Sequence, residues 1–300
     1  MIDLAGMNIT MASGKGGTGK TTVAVNFAWF LASAGQRVQY LDCDVEEPNG
    51  HIFLKPSITE SSPSKVMVPV VDQEKCTSCG ECGLKCQFHA IVNLPGDTLI
   101  FPGLCHSCGL CVAVCPAGAI TEGDREIGTI EKGKATKEMD FIHGVLNIGE
   151  AMAVPLIKRV KDGRRDSCVH IIDAPPGTSC PVVATLTGSD AVIMVTEPTP
   201  FGLHDLKIAI DVAKLLDIPT GVVINRDQGG YPPLTGYLEA AGVPVLAVIP
   251  EDADIARHYS QGGIILESLP RYIDVYRSMA ENLEKLLDIH SSRARRVMIS

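Results

Sequence analysis

The chain has 300 residues, is 45 % apolar and 5 % aromatic, and sets 26 Lys and Arg against 35 Asp and Glu for a net charge of -9. That length supports one large or two modest domains, while the acidic balance and scarce aromatic residues argue against general nucleic-acid binding, which needs a phosphate-coating surface or base-stacking platforms. No basic-then-apolar leader opens the sequence and no apolar run approaches the roughly 18 residues of a membrane span, so a cytoplasmic protein is expected.

Residues 8–13 form an apolar β-rich run, residues 21–34 show helical spacing and residues 37–42 form a second strand-like run, which together read as a βαβ opening. Between the first run and the helix lies Gly14-Lys15-Gly16-Gly17-Thr18-Gly19-Lys20-Thr21, which fits the P-loop pattern G-x-x-x-x-G-K-[ST] in its strand-to-helix setting. In such a loop, glycines let backbone N–H groups curl around a β-phosphate and the helix N-terminus adds partial positive charge. Lys20 can reach the β and γ oxygens, and Thr21 can offer its hydroxyl to Mg²⁺. Thr22 completes the candidate ATP-binding segment. The second strand ends in Asp42-Cys43-Asp44, where Asp42 is open between metal chemistry and local capping.

The polar residues 60–65 and the charged, glycine-containing residues 122–137 read as the seams of an insertion. Between them, eight of the 11 cysteines crowd into the 40 residues from Cys76 to Cys115. The run Cys76-x₂-Cys79-x₂-Cys82-x₃-Cys86 recurs 29 positions later as Cys105-x₂-Cys108-x₂-Cys111-x₃-Cys115. A unit this small cannot build a large apolar core, so it depends on whatever its thiolates bind, in a reducing and oxygen-poor setting. Alternation resumes with strands expected at 168–173, 191–196, 220–225 and 243–249 and a helix at 203–216. The fold expected is a doubly wound α/β P-loop NTPase with a mostly parallel sheet and a small inserted α+β domain. Residues 271–289 read as a core-packed helix, and 291–300 as a frayed basic tail.

With its extra lysine, Lys15, the run Lys15-Gly16-Gly17-Thr18-Gly19-Lys20-Thr21-Thr22 resembles the deviant Walker A motif of the superfamily of MinD, ParA, Mrp and the nitrogenase iron protein. The resemblance implies ATP hydrolysis in a nucleotide-sandwich dimer, of identical chains or with a related ATPase, with Lys15 reaching the partner's phosphates. It also implies that Asp44 orients the attacking water and contacts the Mg²⁺ shell, and that Asp173, in Ile171-Ile172-Asp173-Ala174-Pro175-Pro176-Gly177, stands beside the metal with Thr21. Asn225 falls where relatives read the adenine edge, and Pro250 and Asp252 fall in the loop that closes over the base.

The cysteine runs resemble those of bacterial two-cluster ferredoxins. That resemblance assigns Cys76, Cys79, Cys82 and Cys115 to one [4Fe–4S] cluster and Cys86, Cys105, Cys108 and Cys111 to a second, with paired zinc sites as the alternative. The domains implied are residues 1–64 and 124–290 for the ATPase and 65–123 for the ferredoxin insert. Gln87 stands after Cys86 where the pattern has proline, as at Pro116, so a looser loop is expected there. Cys43 and Cys168 read as small buried hydrophobes, and His89 and His106 as solvated groups. Cys180 reads either as turn packing or, by resemblance to the nitrogenase iron protein, as a ligand for a dimer-bridging cluster. As a whole the chain resembles MinD-superfamily ATPases carrying an inserted ferredoxin domain. The leading expectation is a nucleotide-driven dimer switch that gates electron transfer through two clusters to a partner with a basic docking face. The alternatives are an Mrp-type cluster carrier and a MinD- or ParA-like spatial regulator.

Overall fold

A computed structural model describes residues 4–297, with side chains through His290. The opening βαβ unit comprises β1 (Asn8–Ala12), α1 (Lys20–Ser33) and β2 (Val38–Asp42), and is followed by α2 (Gly50–Leu54) and the long strand β3 (Ser57–Val71). A small lobe then holds α3 (Glu81–Lys85), the hairpin β4 (Ile91–Leu94) and β5 (Asp97–Ile100), and α4 (Leu110–Ala113). The chain returns along β6 (Ile120–Lys134) into β7 (Met139–Leu146), α5 (Ala153–Asp162) and β8 (Val169–Asp173). Alternation continues through α6 (Cys180–Leu186), β9 (Ala191–Thr196), α7 (Pro200–Leu215), β10 (Thr220–Asp227), α8 (Pro232–Ala241) and β11 (Val245–Pro250). Three helices close the described chain, α9 (Ala253–Ser260), α10 (Ile265–Ser268) and α11 (Ile273–Val297).

Nine strands form one sheet in the order β11-β10-β9-β1-β8-β2-β7-β6-β3. The strands from β11 to β7 are parallel, and β6 and β3 add on antiparallel. The central strands are covered on both faces, which explains why they read as near-continuous apolar runs instead of alternating ones. On one face α1, α10 and α11 pack Phe27, Leu31, Tyr276 and Met279 against Ile9, Tyr40 and Ile193. On the other, α6, α7 and α8 bring Leu186, Leu206, Ile210 and Leu234 onto Val192, Met194 and Val222. A third cluster seats Leu156, Ile157 and Val160 of α5 on Ile127, Ile130 and Ile142.

The two stretches expected to be seams are instead strands. Residues 60–65 lie within β3, and residues 122–134 lie within β6, its antiparallel partner. Their polar character fits strands with little cover. Residues 57–63 are all exposed, so no hydrophobic alternation marks them. The expected boundaries at 64/65 and 123/124 therefore fall inside one continuous ribbon. Gly128 pairs with Leu146 at the carboxyl end of β7, so residues 120–127 run on beyond it. That is the end at which β2 and β8 finish with Asp42 and Asp173. The ribbon thus carries the cysteine lobe outward past the carboxyl ends of the parallel strands.

The carboxyl-terminal helix packs on the core through Tyr276, Met279, Ala280 and Leu283, and its backbone continues helical to Val297. Of the tail expected to fray over 291–300, the stretch to residue 297 is thus helical; residues 298–300 lie outside the described residues, as do the side chains of the basic cluster.

Candidate functional site

The loop between β1 and α1 is shaped by its glycines. Gly17 and Gly19 adopt positive φ of 81° and 86°, a region where a side chain is strained, and Gly19 starts α1. Gly14 is required for a different reason. A Cβ there would stand 2.3 Å from the backbone oxygen of Asp205 in α7, which is fixed helix backbone and cannot yield. Gly14→Ala is therefore expected to push α7 off the loop, at a cost of about 1–3 kcal/mol. A lowered melting temperature together with weakened nucleotide binding in a titration would show it, and an unchanged melting temperature would contradict it.

This loop lines a cavity of about 510 Å³ with Asp44, Asn225, Pro250, Asp252 and Tyr272 among the residues of its wall. The size suits a mononucleotide. The Thr18 hydroxyl is buried in the loop without a hydrogen-bond partner, and so is the side-chain oxygen of Asn49, which also lines the cavity. Unpaired buried polar atoms are costly, and a phosphate or hydrated ion supplies the missing partners.

The strand ends bring the charged groups together. Lys20 is ion-paired with Asp173 and lies 3.4 Å from the Thr21 hydroxyl. Tyr40, buried in β2, donates to the other Asp173 oxygen at 2.9 Å. Burial, then the Asp173 charge, pushes the Tyr40 phenol well above its ordinary value, so it stays a donor. Asp42 accepts from the backbone N–H of Gly50 at 2.9 Å, Asn49 at 3.1 Å and Asp44 at 3.1 Å. Its role is the local capping one, fixing the loop that presents Asp44. Burial and the nearby Asp173 charge raise Asp42 to about 7. Burial likewise raises Asp44 to about 6, against the opposing pull of Lys20.

Three residues expected to contact ATP have other engagements. Lys15 does not line the cavity; its ammonium lies 3.3 Å from Glu197, which also binds Arg226 at 2.6 Å. Asn225 donates from Nδ2 to the Thr18 carbonyl at 2.8 Å, tying β10 to the loop. Asp252 lines the cavity, but its carboxylate caps α9 through Asp254 N–H at 2.7 Å and accepts from Tyr272 and Arg271. Those donors, the Tyr272 hydroxyl first, hold Asp252 down to about 2. Through these bonds Asp252 fixes the loop that walls the cavity. Glu197 and Tyr40 were not among the residues read from the sequence. Each is a single polar residue in or after an apolar strand, with no local pattern to single it out.

In the lobe the eight cysteines divide between two cavities. Cys76, Cys79, Cys82 and Cys115 line one; Cys86, Cys105, Cys108 and Cys111 line the other. The 29-residue repeat is also a repeat of backbone shape. Ser78 and Ser107, Gly80 and Gly109, and His89 and Gly118 all adopt positive φ at corresponding places. These turns aim N–H groups at sulfur: Ala90 donates to Cys86 at 3.4 Å and Ala119 to Cys115 at 3.3 Å. Desolvation acts to raise the Cys115 thiol, but N–H groups from Ala119, Ala117, Ile120 and Gly118 together outweigh it and hold the thiol below its ordinary value. Among the described residues no three His, Cys, Asp or Glu side chains converge closely enough for a single metal ion, so the thiols stand around each cavity.

The remaining cysteines are scattered. Cys43 and Cys168 are buried in strands or beside them, and Cys180 is exposed at the start of α6. Burial pushes the Cys43 thiol far up, which keeps it unreactive. His106 stacks on Phe88 with ring centroids 3.9 Å apart.

Comparison with known proteins bears on the larger part of this arrangement. The CobQ/CobB/MinD/ParA nucleotide binding domain matches residues 9–265. An uncharacterized protein of Methanocaldococcus jannaschii is 33 % identical over 231 residues, covering 73 % of this chain and 80 % of that one. An iron-sulfur cluster carrier protein of Helicobacter pylori is 25 % identical over 300 residues, covering 93 % of this chain and 67 % of that one. The septum site-determining protein MinD of Pyrococcus horikoshii OT3, solved with Mg-ADP, matches in fold with a TM-score of 0.57 at 20 % identity over 95 % of this chain and 98 % of that one. With its P-loop, doubly wound sheet and mononucleotide-sized cavity, the chain belongs to the CobQ/CobB/MinD/ParA family of nucleotide-binding P-loop proteins.

Proposed function

We propose that this protein is a dimer-forming ATPase whose nucleotide state gates electron transfer through two resident [4Fe–4S] clusters, held by the two cysteine quartets. Thr21, Asp44 and Asp173 are the residues suited to hold Mg²⁺ with the triphosphate. Binding draws Lys20 from Asp173 toward the β and γ oxygens, which frees a carboxylate oxygen of Asp173 for the metal shell while Tyr40 keeps hold of the other. Asp44, fixed in place by Asp42, orients the attacking water. When bound, the clusters supply one-electron chemistry.

One observation carries the coupling. The residue after Asp44, Val45, accepts at its carbonyl from the Leu146 N–H at 2.8 Å, and Asn147 in turn donates to the Ile127 carbonyl in β6 at 2.9 Å. Val45, Val66 and Ile127 share one buried cluster. A shift of the Asp44 loop therefore bears directly on the ribbon that holds the cysteine lobe. Such a switch needs nucleotide to favour one arrangement over another by differential contacts, and Asp44 with Lys20 provides them.

The name of the Helicobacter pylori relative favours a second reading, in which a cluster is cargo handed to an acceptor. Against it stands the interlocking of the quartets. Cys115 of the second repeat completes the first ring and Cys86 of the first completes the second, so release from one site disturbs the other. Anaerobically purified protein is expected to contain iron and sulfide that stay bound through ATP turnover, with potentials that differ between ATP-analogue and ADP states. Unchanged potentials would overturn gating, and ATP-dependent movement of iron and sulfide to an apo-acceptor would establish the carrier.

A further inference from the structure

The two cavities match in backbone and differ in side chains. The hairpin β4–β5 belongs to the first repeat alone and lies over the cavity of Cys76, Cys79, Cys82 and Cys115. From it, Asn93 donates through Nδ2 to Cys82 Sγ at 3.4 Å and to the Thr98 hydroxyl oxygen at 3.0 Å. The Thr98 hydroxyl oxygen also lies 3.6 Å from Cys76 Sγ, and toward a cluster-bound thiolate, which carries no proton, the Thr98 O–H is the donor of that contact. Thr98 is buried, and its backbone carbonyl is held by Gln73 Nε2 at 3.0 Å. Two side-chain donors thus converge on two sulfurs of one quartet.

The second cavity has no counterpart. The positions 29 residues on from Asn93 and Thr98 are Glu122 and Ile127, both in β6. Beyond its cysteines its wall is made largely of Met67, Pro69, Phe88, Ile91 and Leu110, with His106 the exception. The asymmetry extends to the glycine that admits Asn93. A Cβ on Gly83 would stand 2.1 Å from Asn93 Oδ1, and the equivalent of Gly83 in the second repeat is Val112. The first repeat makes room for an amide where the second places an apolar side chain.

A hydrogen bond to a thiolate sulfur stabilises the more negative, reduced state over the oxidised one and so raises the reduction potential; an apolar wall does the reverse. Resting on the two-cluster reading above, we infer that Asn93 and Thr98 make the site of Cys76, Cys79, Cys82 and Cys115 the higher-potential of the two. Both are positioning residues acting through sulfur. An electron delivered by an external one-electron donor protein, which is oxidised in the step, comes to rest at this site. The site of Cys86, Cys105, Cys108 and Cys111 is the one reduced only by a stronger donor.

The test is an anaerobic redox titration of the full chain followed by EPR, preceded by iron and sulfide counting. Two separated waves are expected in the unaltered protein. Asn93→Leu and, independently, the near-isosteric Thr98→Val should each move the higher wave to lower potential and leave the lower wave in place, with nucleotide binding unaffected. Full iron and sulfide loading with coincident waves, with a higher wave that ignores both substitutions, or with a lower wave that moves instead overturns this inference alone. Protein without iron and sulfide in the lobe overturns the cluster reading and this inference together. Thr98→Val removes one hydroxyl without changing shape, so it answers the question even if Asn93→Leu disturbs the lobe.

Discussion

Lys15→Ala is expected to slow ATP hydrolysis by about 10³-fold, the scale of a charge supplied in trans to a phosphoryl-transfer transition state, while leaving ATP binding nearly unchanged. The separation follows from where the two lysines stand. Lys20 lines the nucleotide cavity and Lys15 does not. In the single chain the Lys15 ammonium is held 3.3 Å from Glu197, so any contribution to hydrolysis must come after that pair opens and the side chain reaches another protomer. Arg226 stays on Glu197 at 2.6 Å and keeps the carboxylate compensated when Lys15 leaves. A partly exposed pair of this kind is worth about 0.2–1 kcal/mol, so Glu197→Gln should raise turnover at low protein concentration by at most about fivefold, the Boltzmann factor of that energy. Turnover measured against protein concentration separates the cases. If the Lys15→Ala protein hydrolyses ATP at the unaltered rate at every concentration, Lys15 has no role across a dimer.

How much of this could be read from the chain depends on whether the signal is local. The P-loop is a run of neighbouring residues with fixed spacing, and β1, β2, β8 and β9 are short apolar runs bounded by polar and turn residues, so their places were evident. The cysteine quartets were legible because a repeat copies both spacing and turn chemistry. β3 and β6 were not, since exposed polar residues such as Ser61 and Glu126 acquire strand character only by pairing across the ribbon. The same holds for Glu197, whose ion pairs join β9 to the P-loop and β10, and for Asn93 and Thr98, which meet sulfur only because a hairpin folds back. Asp42 left two roles open in the sequence, and three backbone N–H groups decide for capping. Asp252 is placed in the loop over the base by its neighbourhood in the chain, but its donors Tyr272 and Arg271 stand two helices further on, beyond α9 and α10, and leave no local trace.

The largest effect expected in the lobe comes from its crossed ligands. Cys115→Ala should empty the site of Cys76, Cys79 and Cys82, although it lies in the other repeat, and Cys86→Ala should empty the site of Cys105, Cys108 and Cys111. Each substitution should remove half of the iron. The double variants are more discriminating. Cys76→Ala with Cys115→Ala should lose no more iron than either change alone, because both act on one site, while Cys76→Ala with Cys86→Ala should lose nearly all of it. Uncrossed sites, each built from four consecutive cysteines, would give the opposite pattern. The loss should also loosen the lobe itself. Its buried apolar cluster consists of Cys82, Ile91 and Ile120 with partly buried Val71, Ile100 and Val112 around it. Full burial of an aliphatic side chain contributes about 1.5–3 kcal/mol, and ordering each residue of the lobe costs about 1–2 kcal/mol of backbone entropy, so this cluster cannot hold the lobe without its thiolate bonds. Limited proteolysis should accordingly cut the Cys115→Ala protein between β3 and β6 while the P-loop domain, with its separate cores, stays intact and continues to bind nucleotide. Equal protease resistance of the unaltered and Cys115→Ala lobes would show instead that the polypeptide alone holds the lobe together.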